Sequence, residues 1–255
     1  MNRKVAIPEE VNRIVSLVPS QSEFLWDMGL SNKIVGVSKF CIHPDEMYRN
    51  TKRVGGTKQL DIKAIIDLKP DLVIGNKEEN VQEQIEELSK HCPIWMSDVN
   101  SLEDAFSMMH SLNEMLNVSS EKKELVKNIE ENLKSVQGMF EGTKVAYLIW
   151  HEPIMAVGSN TFIHSVLEYL GFENVLRKNT RYPELSTEEL SKLDCDVCML
   201  SSEPFPFKES HLEWYTKTFP NFKPQLVDGE MFSWYGTRLE KLPSYVKQLK
   251  KNRND

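Results

Sequence analysis

The chain has 255 residues, 40% apolar and 27% charged, with 31 Lys+Arg against 38 Asp+Glu for a net charge of −7. That size and mix bury a sizeable core in one or two domains and exclude wholesale disorder. The acidic balance excludes a general nucleic-acid binder, which would carry a basic field.

No apolar stretch approaches the roughly 20 residues of a membrane-spanning helix. The opening MNRKVAIP holds no apolar run of the kind that makes a secretory signal. The sequence as written is therefore expected in the cytoplasm, with the periplasm as the alternative if a leader has been removed. The four cysteines, Cys41, Cys92, Cys195 and Cys198, are too few to staple a chain of this size and are expected as free thiols. Cys195 and Cys198 share the spacing of a metal motif but lie in LDCDVCML, which reads as a buried strand. Residues three apart on a strand face opposite ways, and no second Cys or His pair follows at zinc spacing.

Residues 13–18 (RIVSLV) predict a short buried strand. A helix follows Pro19, capped by Ser20 or Ser22, with Phe24, Leu25 and Met28 on its apolar stripe and Gly29 as its stop. Residues 34–37 (IVGV) are the next strand. In DIKAIIDLKPDLVIG, Ile62, Ile65, Ile66 and Leu68 suit a short helix, Lys69-Pro70-Asp71 a turn and residues 72–74 a strand. The acidic pair Glu78-Glu79 reads as the start of a helix over VQEQIEEL, where acids complement the helix dipole; ligand contact is the other reading.

Two helices are predicted over residues 101–116 and 119–137, the second with Leu125, Ile129, Leu133 and Val136 on one stripe and Gly138 after it. The second half then repeats the first. Residues 145–150 (VAYLIW) form a strand ending at His151-Glu152-Pro153, residues 161–170 a helix ended by Gly171, and ELSTEELSKLDCDVCML follows DIKAIIDLKPDLVIG in order: short helix, turn, strand. Residues 239–252 carry Leu239, Leu242, Val246 and Leu249 as a C-terminal packing helix.

Alternating strands and helices imply parallel sheets with crossover connections, hence an α/β fold. Two such units imply two lobes: residues 1–116, a backbone helix within 117–142, and residues 143–255. Ligands of parallel sheets gather at the C-terminal ends of the strands. The segments there are 19–21, 38–44, 75–80, 150–153, 201–207 and 228–236, rich in aromatics, His, Glu and Pro. Two lobes facing each other with such rims describe a cleft for a large, flat, partly apolar ligand.

RIVSLVPSQSEFLWDMGL with IVGVS, VGGTKQLDIKAIIDLKPDLVIGNKEEN, MAVGSNTFIHSVLEYLGFENVL, SSEPFPF and VDGEMFSWYGTRL stand in one order along the chain. In that order the sequence resembles the helical-backbone substrate-binding proteins of ABC importers, receptors for vitamin B12, ferric siderophores and haem. It is similar above all to the cobalamin-binding-like subgroup, whose members carry FCxHP, VGGTK and NxEEN segments.

The resemblance implies two Rossmann-like lobes with parallel sheets joined by one long backbone helix, and a shallow interlobe cleft. It implies non-enzymatic binding of a metal chelate there (corrinoid, ferric siderophore or haem) by an importer component or a cytosolic relative of one. The alternative is an enzyme or scaffold reusing the fold. No intrinsic cofactor and no directly bound metal are implied, and a monomer is expected.

The family's pocket loops fall on Ser20, Phe40, Cys41 and His43, and on Trp150, His151, Asp228, Phe232 and Trp234. Each has a plainer reading too. Trp150 ends an apolar strand, Trp234 precedes a turn at Gly236, Phe40-Cys41 suits buried support, and His43 either caps a turn or ligates the metal of a bound chelate. His110, His164 and His211 show no partner spacing and read as surface or packing residues.

Importing members carry a glutamate on the short helix of each lobe for docking to the permease. Glu188 stands at that place in the second lobe. Lys63 stands there in the first, reverses the charge and would repel a basic permease pocket; Asp61 is the nearby acid. No GxSxG, GxxxxGK[ST], HExxH or GxGxxG occurs, so no enzyme is expected.

Overall fold

The computed structural model describes residues 5–254 and divides into two compact units. One takes in the chain up to Val99, Asp104–Ile129 and Tyr235–Arg238. The other takes in Asn100–Glu103, Glu130–Trp234 and the chain from Leu239.

In the first unit, β1 (Ile14–Ser16) leads through α1 (Pro19–Leu25) to β2 (Ile34–Val37), α2 (Asp45–Asn50) and β3 (Lys52–Arg53). A two-stranded ribbon, β4 (Gly55–Gly56) and β5 (Gln59–Leu60), precedes α3 (Ile62–Asp67), β6 (Leu72–Asn76), α4 (Gln82–Leu88) and β7 (Ile94–Ser97). The sheet order is β3-β2-β1-β6-β7 and every pairing is parallel. β6 is buried along its whole length, as a strand covered by helices on both faces must be.

Neither serine caps α1, contrary to the sequence expectation. Pro19 occupies the first turn, where its missing N–H costs nothing, and Val18 is the cap residue without a side-chain bond. Ser20 and Ser22 lie inside the helix and are buried. Ser22 Oγ sits 2.7 Å from Ser16 Oγ and 2.9 Å from the Val18 carbonyl oxygen. A π-helical turn continues to Leu30, and Gly29 leaves the helix at φ 81°, as expected of a stop glycine.

α5 (Leu102–Met115) and α6 (Ser120–Leu133) follow. A 3₁₀ turn, Lys134–Val136, and Gly138 at φ 67° end α6, and the boundary between the units falls within it. Its buried stripe is Val126, Ile129, Leu133 and Val136; Leu125 is only half-buried.

Asn113 of α5 is 1% exposed, and neither atom of its side-chain amide has a hydrogen-bond partner among the described residues. Burying an unpaired amide costs about 1–3 kcal/mol. The Asn113→Leu variant should therefore raise the unfolding midpoint in urea; a lower midpoint would show that a bound water satisfies the amide.

The second unit runs through β8 (Thr143–Trp150), β9 (Ile154–Ala156), α7 (Phe162–Tyr169), β10 (Phe172–Asn174), β11 (Glu184–Leu185) and α8 (Thr187–Ser191). It continues through β12 (Val197–Ser201), α9 (Glu209–Thr218), β13 (Pro224–Val227), α10 (Glu230–Ser233) and α11 (Leu242–Asn254). β8 pairs in parallel with β12 and β10, and β12 with β13.

The sheet is not purely parallel. β9 runs antiparallel to β8, and β11 antiparallel to β9. Only residues 151–153 separate β8 from β9, which suffices for a hairpin and not for a crossover. Gly171, at φ 90°, ends the α7 segment as expected.

Cys195 lies ahead of β12, not on it, because the strand begins at Val197; all four cysteines are free. The C-terminal helix starts at Leu242, and Leu239 belongs to a 3₁₀ turn before it.

Candidate functional site

In the first unit, the loops after β1, β2, β6 and β7 share one edge of the sheet. Behind them lies a buried polar network. Gln21 Nε2 donates to Ser97 Oγ (2.5 Å), as does Asn76 Nδ2 (3.0 Å). Cys41 Sγ is 3.1 Å from Ser22 Oγ and 3.2 Å from Ser38 Oγ. Burial pushes its thiol pKa up. Cys41 is fully buried. Ser20 is nearly as deep, at 4% exposure.

The loop's outward face is apolar: Phe40 is 49% exposed and Ile42 45%, with Lys39 Nζ 4.9 Å from the Phe40 ring centre. His43 is half-buried and joined to Pro44 by a cis peptide bond.

The acidic pair does not begin a helix. α4 starts at Gln82, and Glu78-Glu79 lie in a turn that Asn76 and Asn80 build. Asn76 Oδ1 accepts the Glu78 N–H at 2.8 Å, and Asn80 Oδ1 accepts the Asn76 N–H at 2.9 Å. Asparagine side chains mimic backbone turns in this way, which periodicity does not register. Burial, then Glu78, raises the Glu79 pKa.

The segment Tyr235–Arg238 also belongs to this unit. Arg238 meets Glu23 of α1 in a forked ion pair, Nε to Oε2 at 2.9 Å and Nη2 to Oε1 at 2.7 Å, with the side chains 5% and 9% exposed. Thr237 Oγ1 donates to Asp27 Oδ2 at 2.5 Å. Gly236 passes α1 at φ 101°, where a Cβ would stand 3.1 Å from that of Phe24.

In the second unit, the loops after β8, β12 and β13 share an edge. Trp150 is 37% exposed; its indole N–H donates to the Glu152 carbonyl at 3.0 Å and its ring lies 5.6 Å from Phe205. His151 sits in an aromatic cage: Phe205, His211, Trp214 and Tyr215 have ring centres 5.0–5.9 Å away. Its Nδ1 is 3.4 Å from the Tyr215 hydroxyl. Burial, reinforced by His211, lowers its pKa.

The sequence reading did not place His211, Trp214 and Tyr215 at the site. Their signal was the i, i+3, i+4 spacing that sets them on one face of α9.

Phe232 is fully buried against Tyr147 (5.3 Å) and Tyr245 (6.1 Å). Trp234 is only 7% exposed, and its indole hydrogen-bonds the Glu203 carboxylate. Asp228 is half-buried. Its Oδ1 accepts the Glu230 N–H at 3.1 Å, and its own N–H donates to the Tyr245 hydroxyl at 2.8 Å.

Glu203, within the rim segment 201–207 but not singled out there, accepts a hydrogen bond from Ser233 Oγ. Burial, aided by Glu230 and Asp228, pushes its pKa up to about 7. Gly229 permits the close approach of its loop, since a Cβ there would lie 2.4 Å from Ser201 Oγ.

Lys63 and Glu188 both hold the second position of their short helices, after the caps Asp61 and Ser186, and both are exposed. Glu188 pairs with Lys192 at 2.6 Å. The Asp61 carboxylate accepts the Ala64 N–H at 2.9 Å, so it is engaged as the cap of α3. Among the described residues no group of three or more His, Cys, Asp or Glu side chains converges to hold a metal ion, and no helix is long and apolar enough to cross a membrane.

A family profile described as periplasmic binding protein matches residues 14–222. The vitamin B12-binding protein of Vibrio parahaemolyticus is 28% identical over 198 residues, covering 76% of this chain and 72% of that protein. An uncharacterized ABC transporter substrate-binding lipoprotein of Bacillus subtilis, YvrC, is 26% identical over 207 residues, covering 77% of this chain and 65% of that protein. Among solved structures, the periplasmic heme-binding protein RhuT from Roseiflexus superposes with a TM-score of 0.81 at 18% identity, over 96% of this chain and 99% of that one.

Proposed function

Because the chain belongs to the periplasmic binding protein family, a family of transport receptors and not of enzymes, we propose that it binds a metal chelate and delivers it to an ABC permease. The observation that carries this reading is the aromatic rim of the second unit, where Trp150 stands open to solvent beside Phe205 and the His151 cage. Flat aromatic walls suit a macrocycle or a compact chelate, and a few polar groups orient it. Phe40, Ile42 and His43 give the first unit's rim an apolar face with one polar group. Ser20, Cys41, Phe232 and Trp234 stand behind these surfaces and hold them in place.

The relatives' names, periplasmic and lipoprotein, support action outside the cytoplasm; nothing in them supports the cytoplasmic expectation. Docking on the permease uses Glu188 on α8. Lys63 at the same position of α3 makes the docking surface asymmetric in charge and weakens it against a permease basic on both sides.

The test is Trp150→Ala, titrated calorimetrically with cyanocobalamin, haemin and a ferric hydroxamate. Losing an exposed wall, with the core untouched, should weaken the best of these ligands roughly tenfold to hundredfold. Failure of the unaltered protein to bind any of them would sink the proposal.

A further inference from the structure

His211 carries a feature that its packing does not require. It is the third residue of α9, and the backbone N–H of Lys208, the residue that caps this helix, donates to its Nδ1 at 2.9 Å. A neutral imidazole has one N–H and one acceptor nitrogen. With Nδ1 accepting, the proton sits on Nε2. That N–H has no hydrogen-bond partner among the described residues.

Three rings hold the imidazole in place. Its centre stands 5.0 Å from that of His151, 5.1 Å from Phe205 and 5.6 Å from Phe207, with interplanar angles of 66–81°. His211 is half-buried, so aromatic faces shield part of it from water. Two neighbouring indole donors are already engaged: that of Trp150 on the Glu152 carbonyl and that of Trp234 on the Glu203 carboxylate. Lys208 and Trp214, both exposed, carry further donors. The His211 N–H differs from the lysine's in being fixed in direction, by the bond to the opposite nitrogen and by the rings around it. A donor fixed in this way gives up little freedom when an acceptor meets it, and apolar surroundings strengthen the bond.

We propose that His211 orients the ligand on the second unit's rim. Its Nε2–H donates to an acceptor oxygen at the edge of the chelate, a carboxamide, carboxylate or hydroxamate oxygen, while Trp150 and Phe205 cover the chelate's face. This rests on the chelate-binding reading above and concerns the second unit by itself.

The experiment separates the donor from the packing. Glutamate and glutamine both serve at the third position of a helix, where a side-chain oxygen accepts the N–H of the cap residue. Glutamine keeps a donor beside that oxygen, and ionised glutamate has none. His211→Gln and His211→Glu are titrated calorimetrically with cyanocobalamin, haemin and ferrichrome, in about 500 mM NaCl to screen the charge that glutamate adds. Their urea unfolding midpoints should stay close to that of the unaltered protein, because the cap is kept. For each of these chelates that the unaltered protein binds, His211→Gln should stay within about threefold. His211→Glu should weaken roughly tenfold, the cost of an acceptor left unmatched. Equal binding by His211→Glu and the unaltered protein would overturn the assignment. So would an equal loss in both variants, or a loss that comes only with a lowered midpoint, since either makes packing the whole of the residue's role. Those outcomes leave chelate binding standing. If the unaltered protein binds none of the three chelates, both readings fall.

Discussion

Arg238→Met should cost about 3–5 kcal/mol of folding stability. The guanidinium and the Glu23 carboxylate are both almost wholly out of solvent and bonded to each other at two points. Removing the arginine takes the forked cation from a buried carboxylate, and the large loss comes from that charge left without its counter-ion at the fork. The pair's own net worth is far smaller, because desolvating two ions offsets most of their attraction. Replacing both, as Glu23→Leu with Arg238→Met, should accordingly recover most of the loss. Urea unfolding of the two single variants and the double variant measures the difference. Equal stability of Arg238→Met and the unaltered protein would mean that water reaches Glu23 and the site is not dry.

The second large effect is on the pH dependence of stability. The Glu203 carboxyl ionises near 7 in the folded chain because burial disfavours its charge, against about 4.3 when unfolded. A raised carboxyl pKa means that the native state holds the proton more tightly. This group's contribution is therefore fully present below about pH 4.3, falls as pH rises, and is lost above about pH 7. Integrated over that window the loss is on the order of 3 kcal/mol. Glu203→Gln cannot ionise and escapes it. The stability of the glutamine variant relative to the unaltered protein should rise between about pH 5 and about pH 8. A difference flat in pH would place the Glu203 pKa near its ordinary value. The bonds that Glu203 accepts from Ser233 and Trp234 favour its charged form and oppose this shift, so the cost comes from burying the charge.

Chain order and the period of the apolar residues determined the α/β class, the doubled strand–helix–glycine–strand units and the position of α6. These depend on local rules: the i, i+3, i+4 stripe, the stop glycines Gly29, Gly138 and Gly171, and the X-Pro turns. They also placed Lys63 and Glu188 at equivalent points of α3 and α8, because both helices sit at a constant distance before a strand. The parallel-sheet order also marked the rims as the ligand-bearing edges, and the family resemblance added the individual pocket residues on them.

Tertiary structure alone decided which rim residues face outward. Phe40 and Cys41 are neighbours in sequence, yet one is half exposed and the other fully buried. Trp150 ends β8 and Trp234 follows α10, both in the rim loops, yet only the first is open to solvent. The antiparallel β9, the Asn76–Asn80 turn, the His151 cage and the Glu23–Arg238 pair all join residues through hairpin geometry, side-chain bonds or contacts up to 215 positions apart. A periodic pattern records which face of an element is apolar. It carries no information about which distant polar group will be buried against it, because that pairing exists only once the chain has folded.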